Sequence, residues 1–191
     1  MKKNKDVEID TKTTDIKKDP RDMVRNFFKE LVPYIIIILV VATIRTFIAT
    51  PVRVNGPSMY PTLKDGEILI LNKMDRNFKR FDIVVADVSN IKVIKRVIGL
   101  PGENISYENC KLYINGSEVE DFVKECVTED FTLENLYGYD MIPEGYYFVM
   151  GDNRQDSSDS RRYEIGLIKS DQIQGKATFR IFPFKVFGSV K

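Results

Sequence analysis

The sequence contains no histidine and no tryptophan among its 191 residues. Without histidine the chain can form neither a Ser-His-Asp triad nor a Cys-His pair, and it has no imidazole to offer a zinc ion. Any proton transfer must therefore use Lys, Asp, Glu, Tyr, Cys or a chain terminus. The sequence also lacks an excess of one charge, with 29 Lys and Arg against 28 Asp and Glu. That balance, without a basic stripe interleaved with aromatics, argues against a nucleic-acid partner.

The charges are unevenly distributed and divide the chain into three zones. Residues 1–30 hold nine basic and seven acidic side chains, residues 31–50 hold Arg45 alone, and residues 51–191 hold nineteen basic and twenty-one acidic ones. The first zone has few large apolar residues, so we expect it to be largely disordered. A helix can start near Pro20, since proline is tolerated in a first turn.

The second zone, residues 31–50, is apolar and long enough to cross a membrane. As a helix its twenty residues would span about 30 Å, the thickness of a bilayer core. A buried core helix is one alternative, against which the absence of a polar face argues. A cleaved secretory signal is another, but the acidic leader and the lack of a small-x-small site argue against it. We favour an uncleaved transmembrane helix with the lysine-rich flank in the cytoplasm, which makes residues 51–191 extracytoplasmic.

The third zone, residues 51–191, has the pattern of short strands separated by turns. Runs rich in β-branched and aromatic residues are bounded by Gly, Pro and Asn, and Asn115 with Gly116 predicts a two-residue hairpin turn. The pattern predicts a mainly β fold, with an antiparallel sheet in a sandwich or partly open barrel, preceded by one N-terminal transmembrane helix. The predicted strands are residues 67–71, 81–86, 91–98, 111–114, 146–150 and 176–182.

One predicted strand carries a lysine on an apolar face. Alternation along residues 91–98 places Lys95 on the same side as Val93 and Val97. If that side packs inward, burial lowers the pKa of Lys95 and makes its free amine available as a base near neutral pH. The alternative is a lysine whose amine reaches water from the end of a strand.

A serine in a Gly/Pro-rich loop is a candidate nucleophile for such a base. Ser58 follows Gly56 and Pro57 and precedes Pro61. The prolines stiffen the loop, and the glycine allows close approach of a substrate. A serine hydroxyl paired with a neutral lysine attacks carbonyl groups without histidine. The alternative is an ordinary turn.

Residues 151–162 form a polar loop that contains no large apolar side chain. A solvated loop is the simplest interpretation. A calcium loop is a rival, but the EF-hand spacing puts Arg154 at a ligand position and lacks the closing Glu. The density of short donors and acceptors suits a network that orients other groups. We therefore expect neither a metal ion nor an organic cofactor.

Together these features resemble the type I signal peptidases, which are membrane-anchored Ser-Lys proteases that remove signal peptides from exported proteins. The resemblance extends over about residues 25–185 and rests on four blocks that occur in the family's order. It implies Ser58 as the nucleophile and Lys95 as the general base. The four blocks are residues 56–63, 82–85, 95–102 and 151–161.

The resemblance also implies supporting roles. The oxyanion hole would use the Ser58 backbone N–H and the region of Gly56, and the substrate would lie extended beside the strand after Gly56 or beside residues 82–86. The residues implied to orient the lysine and support the site are Ser157, Asp159, Arg161 and Asp152. The residues implied to bind substrate are Asp82, Ile83, Val84, Val85 and Met59.

The implied partners are the signal peptides of secretory preproteins and membrane lipid, with the export translocon as a further candidate. A self-cleaving Ser-Lys repressor would need no membrane segment, so the apolar zone argues against it. An inactive, membrane-tethered β module is a second rival, against which Ser58 and Lys95 argue. Cys110 and Cys126 lie in the part expected outside the cell, where a disulfide and two free thiols both stay open as interpretations.

Overall fold

The computed structural model describes residues 20–190. The chain divides into two units, with the boundary between Ala42 and Thr43. The predicted disorder of residues 1–19 lies outside the described residues, whereas residues 20–30, included in that prediction, form the first turns of a helix.

Helix α1, Pro20–Thr43, lies in the first unit except for its last residue. It begins at the proline because a first-turn residue needs no N–H donor. A π-helical turn, Ile44–Ile48, belongs to the second unit. The stretch Val24–Ile48 has a mean hydropathy of 2.4 and is long and apolar enough to cross a membrane. Residues 31–48 of the predicted segment 31–50 lie in this stretch, and Ala49 and Thr50 belong to a strand.

The second unit is built mainly of antiparallel strands. One sheet has the order β1-β2-β11-β3-β4-β9-β10, with β12 paired to β11, and a second sheet has the order β7-β6-β5-β8. The predicted combination of an apolar N-terminal helix and a mainly antiparallel β domain is confirmed. The elements are β1 Ala49–Arg53, β2 Ile68–Asn72, β3 Ile83–Val88, β4 Ile91–Gly99, β5 Ile105–Glu108, β6 Lys111–Ile114, β7 Ser117–Val119, β8 Phe131–Thr132, α2 Leu133–Tyr137, β9 Tyr146–Met150, β10 Ile168–Lys169, β11 Ile173–Phe182, a 3₁₀ turn Phe184–Val186 and β12 Gly188–Ser189.

The predicted hairpin turn joins β6 to β7, with Ile114 opposite Ser117. Asn115 and Gly116 both have positive φ, 51° and 75°, as a two-residue turn between twisted strands requires.

Three apolar clusters hold the second unit together and fix the strands on which the candidate site residues lie. One fills the space between the small sheet and β9. The second, which includes Val97, covers one side of β3 and β4, and Val93 packs against it. The third lies under the loop after β1 and includes Met59 and Leu63. Successive residues of β4 thus enter different clusters, as strand alternation requires.

Candidate active site

The loop that carries Ser58 is fastened at both ends and along its length. Before the serine, the Val54 N–H donates to the Glu67 carbonyl at 2.8 Å, and after it the Leu63 N–H donates to the Met59 carbonyl at 2.8 Å. The apolar side chains of these three loop residues are almost fully buried. Buried anchors on either side therefore hold Ser58 at the surface of the sheet, where its side chain is partly exposed.

Backbone N–H groups near Ser58 differ in whether they are free to donate a hydrogen bond to a substrate oxygen. The Gly56 N–H donates to Asp65 Oδ1 at 2.8 Å. The Ser58 N–H donates no hydrogen bond within residues 20–190. The Ser58 N–H is thus available to an oxyanion, whereas the Gly56 N–H is already occupied by Asp65. The oxyanion hole at the Ser58 backbone and the region of Gly56 stays a prediction.

Lys95 lies in β4 opposite Val84 of β3. It is 4% exposed, and it shares the side of the strand whose valines pack into the second cluster. Burial lowers the pKa of Lys95 from 10.5 to about 8, and the nearby charge of Asp159 opposes part of that shift. The amine is therefore about half neutral at pH 8 and about one tenth neutral at pH 7.

Ser58 and Lys95 line the same cavity, which has a volume of about 750 Å³. Residues 50–59 form one wall and residues 91–95 form another, and side chains from residues 156–165 close it. Within residues 20–190, no hydrogen bond joins Ser58 Oγ to Lys95 Nζ, and catalytic hydrogen bonds commonly tighten only when substrate is bound. The cavity brings together a hydroxyl and an amine that deprotonates near neutral pH.

In the polar loop, buried Asp159 forms an ion pair with the half-buried Arg161. Arg161 Nε donates to Asp159 Oδ1 at 2.9 Å and Arg161 Nη2 donates to Oδ2 at 2.8 Å, while the Gly151 N–H donates to Oδ2 at 2.9 Å. Burial acts to raise the pKa of Asp159, but the Arg161 guanidinium and the Gly151 N–H outweigh it and hold the pKa below its ordinary value. Asp159 therefore stays ionised near Lys95.

Asp152 forms a second buried pair, with the arginine that follows Lys95. Arg96 Nε and Nη2 donate to Asp152 Oδ1 and Oδ2 at 2.8 and 2.7 Å, and both side chains are 1% exposed. The pair fixes the start of the polar loop to β4. The loop also touches the serine loop, because the Asn153 N–H donates to the Ser58 carbonyl at 3.0 Å.

The orienting role of Ser157 toward Lys95 stays a prediction. Ser157 Oγ is buried and makes no hydrogen bond of ordinary geometry within the described residues, but it lies close enough to Asp159 to help hold the pKa of that carboxyl low. The hydroxyl lies against Gly151, at a place where a Cβ on that glycine would collide with both Ser157 Oγ and the Ser58 carbonyl. Gly151 thus permits the close approach of the polar loop to the serine loop.

The expected substrate strand at residues 82–86 is wrong as a pairing edge. In β3, Val84 pairs with Lys95 of β4 on one side and with Lys176 of β11 on the other, so the strand has no free backbone edge there. Ile83, Val84 and Val85 are all buried. Asp82 forms an ion pair with Lys176 at 2.8 Å and lines a different cavity.

Met59 lines the cavity that contains Ser58 and Lys95, although it is only 1% exposed. Several other lining residues were not foreseen from the sequence. The strand β1, with the sequence ATPVR, shows no apolar alternation that would mark it, and Glu164 and Ile165 follow the polar loop without a recognisable motif. Within residues 20–190, no group of three or more Cys, Asp or Glu side chains is placed to hold a metal ion.

The comparisons with known proteins agree on one family. A model of the family described as signal peptidase, peptidase S26, matches residues 26–182. Signal peptidase I of Bacillus caldolyticus is 42% identical over 168 residues, which cover 81% of this chain and 91% of that protein. Signal peptidase I T of Bacillus subtilis (strain 168) is 38% identical over 190 residues, covering 94% and 98%.

A solved structure of signal peptidase I from Enterococcus faecalis V583 is 39% identical, covers 53% of this chain and 97% of that chain, and aligns with a TM-score of 0.49. The family match and the curated relatives confirm the resemblance seen in the sequence blocks. The chain therefore belongs to the signal peptidase family, peptidase S26, and is a serine peptidase.

Proposed function

We propose that this protein is a membrane-bound endopeptidase that removes N-terminal signal peptides from exported preproteins, with Ser58 as the nucleophile and neutral Lys95 as the general base. The observation that carries this proposal is the shared cavity, which joins a serine hydroxyl to a lysine whose pKa burial lowers to about 8. The sequence has no histidine to act as the base, and Lys95 supplies an amine in the same cavity that can take this role.

The reaction follows from these two groups. Lys95 Nζ takes the proton of Ser58 Oγ as the oxygen attacks the carbonyl carbon of the scissile bond, and the Ser58 N–H donates to the oxyanion that forms. The lysine ammonium then gives its proton to the leaving amine nitrogen, which leaves an acyl-enzyme. A water molecule loses a proton to Lys95 and hydrolyses the ester, and the proton on Lys95 returns to Ser58 Oγ.

Two free strand edges support extended binding of the signal peptide. Among residues 20–190, β1 is the terminal strand of its sheet and pairs only with β2. Residues 91–95 of β4 pair there only with β3, since β9 joins β4 from Arg96 onward. Both edges line the cavity. A peptide inserted between them would hydrogen-bond to both through its backbone, which is strand addition. Val52, Ile94 and Ile165 offer shallow apolar contacts there for small side chains.

The apolar stretch Val24–Ile48 supports a single membrane crossing with the lysine-rich N-terminus in the cytoplasm and the catalytic domain outside. We also propose direct contact of the catalytic domain with lipid. Phe182, Phe184 and Phe187 are exposed at the end of β11 and after it, which is unusual for side chains of this size. Signal peptides and lipid are thus the proposed partners, with the export translocon as the source of the substrate.

The test uses purified full-length protein in detergent and a peptide substrate with small residues at the first and third positions before the cut. Ser58→Ala and Lys95→Met should each lower kcat by at least about a thousandfold, as expected for loss of a nucleophile or base. Lys95→Arg should be equally inactive because guanidinium does not become neutral. The matched controls are Ser117→Ala and Lys169→Met, both at exposed positions. Full activity of Ser58→Ala or Lys95→Arg would overturn the assignment.

The orientation of the chain in the membrane is tested separately. Cells whose wall has been removed and whose membrane is intact are treated with a protease. Digestion of the catalytic domain from outside, with the N-terminal segment protected, is the expected result. Protection of the catalytic domain would reverse the proposed orientation while leaving the chemistry of Ser58 and Lys95 untouched.

A further inference from the structure

A short segment outside the four sequence blocks contacts both buried arginines of the active-site region. Residues 121–128, called here the 121–128 segment, contain no helix or strand. The Phe122 ring lies over the guanidinium of Arg96, with 3.4 Å between the guanidinium carbon and the ring centre. Asp121 and Thr128 reach Arg154 in the polar loop. This segment therefore covers the two arginines that tie the polar loop to the rest of the domain.

Arg154 is the centre of this contact. Its Nη1 and Nη2 donate to Asp121 Oδ2 and Oδ1 at 2.5 and 2.8 Å, and Nη1 also donates to Thr128 Oγ1 at 3.1 Å. The side chain of Arg154 is fully buried and that of Asp121 is 7% exposed. A buried arginine of this kind needs its carboxylate, because an unpaired buried charge is costly.

Arg154 in turn holds the backbone of the polar loop at two points. Its Nε donates to the Gly151 carbonyl at 3.1 Å, and its own carbonyl accepts from Arg161 Nη2 at 2.8 Å. Arg161 pairs with Asp159, whose charge acts on Lys95. A continuous set of buried polar contacts therefore runs from Asp121 through Arg154 to the ion pair beside Lys95.

We propose that Asp121 is a positioning residue of the active site. It acts through Arg154 to hold the polar loop in its place beside Ser58 and Lys95. This inference rests on the proposed function of that site. Loss of the Asp121 carboxylate would leave Arg154 buried without its ion-pair partner, so the guanidinium would shift and release the Gly151 carbonyl. A misplacement of about 1 Å in such a support lowers the rate by up to about a hundredfold.

The experiment measures kcat, KM and the melting temperature of Asp121→Asn in the full-length protein, well below the melting transition. We expect kcat to fall at least about tenfold and KM to change by a smaller factor. Two walls of the substrate cavity, residues 50–59 and 91–95, lie outside the polar loop that Arg154 holds, and only the side chains from residues 156–165 belong to or follow that loop. The matched control is Glu103→Gln. Glu103 also pairs with an arginine, Arg80, that donates to a backbone carbonyl. Glu103→Gln should lower the melting temperature and leave kcat unchanged.

A double variant separates positioning from simple stabilisation. Replacing both partners by apolar residues, as Asp121→Leu with Arg154→Met, removes the buried charges and should restore the melting temperature. It cannot restore the hydrogen bond to the Gly151 carbonyl, so kcat should stay at least about tenfold below that of the unmodified protein. Recovery of kcat together with the melting temperature would overturn the proposal, as would full activity of folded Asp121→Asn. Ser58→Ala, assayed in parallel, must be inactive. An active Ser58→Ala would instead indicate failure of the proposed function.

Discussion

Arg96 and Asp152 form a bidentate ion pair whose two side chains are each only 1% exposed. Arg96 follows Lys95 in β4, so the two cations point to opposite sides of one strand. Arg96 is a guanidinium with a carboxylate partner at hydrogen-bonding distance, whereas burial lowers the pKa of the Lys95 amine to about 8. The type of cation and its surroundings thus give the two neighbouring residues different roles.

Asp152→Asn is expected to destabilise the protein by about 3–5 kcal/mol, the typical cost of removing one partner of a buried ion pair. The isosteric amide keeps the shape of the side chain, so the effect reports the lost charge. Chemical denaturation of the catalytic domain in the full chain measures it. Lys111, whose pair with Glu118 is more than half exposed, provides the control, and Lys111→Met should change stability far less than Asp152→Asn does. Equal effects of the two variants would contradict the importance of burial.

Gly151→Ala is expected to lower kcat at least about tenfold. A Cβ at this position would collide with the Ser58 carbonyl and with Ser157 Oγ, so the serine loop and the polar loop would have to separate. Overpacking of this kind typically costs about 1–3 kcal/mol in stability as well. The measurement is kcat on the same peptide substrate. Adding Ser157→Ala removes the nearest of the three colliding atoms, Ser157 Oγ, while Ser157 Cβ and the Ser58 carbonyl remain, and should recover part of the loss. Unchanged kcat in Gly151→Ala would show that the loops need not approach so closely.

Cys110 and Cys126 form a disulfide with a Cα–Cα distance of 4.9 Å and a sequence separation of 16 residues. The bond closes a loop of residues 110–126, which includes the first six residues of the 121–128 segment. Replacing both cysteines by serine should destabilise the protein by about 3 kcal/mol, as expected for a loop of this length. Denaturation with and without a reducing agent measures the effect. Insensitivity of the unmodified protein to the reducing agent would contradict a stabilising bond.

Local patterns marked Ser58 and Lys95, which the structure places in one cavity, as candidates because both patterns depend on nearby sequence. The alternation around Lys95 fixes its side of the strand, and the Gly/Pro context of Ser58 marks its loop. The expected substrate edge at β3 was wrong for a different reason. Its second neighbour, β11, arrives from a part of the chain about ninety residues later, and no local pattern reports such a partner.

Other parts of the site lacked a sequence signal. β1 contains a proline and no apolar alternation, so its role as a cavity wall depends on its pairing with β2 and on its terminal position in the sheet. Asp121 lies in a segment without periodicity, and its partner Arg154 is 33 residues away. The hydrogen bond between the Gly56 N–H and Asp65 likewise could not be seen in the Gly/Pro pattern.

The most direct test of a neutral Lys95 as the base is the pH dependence of kcat between pH 6 and 10. Because burial lowers the pKa of Lys95 to about 8, the protonated and inactive form should dominate below pH 8. The rate should therefore rise about tenfold per pH unit at low pH and level off above about pH 8, while Asp159, whose pKa is held low, stays ionised throughout. A kcat that is constant from pH 6 to 9, or that falls as the pH rises through 8, would contradict the account.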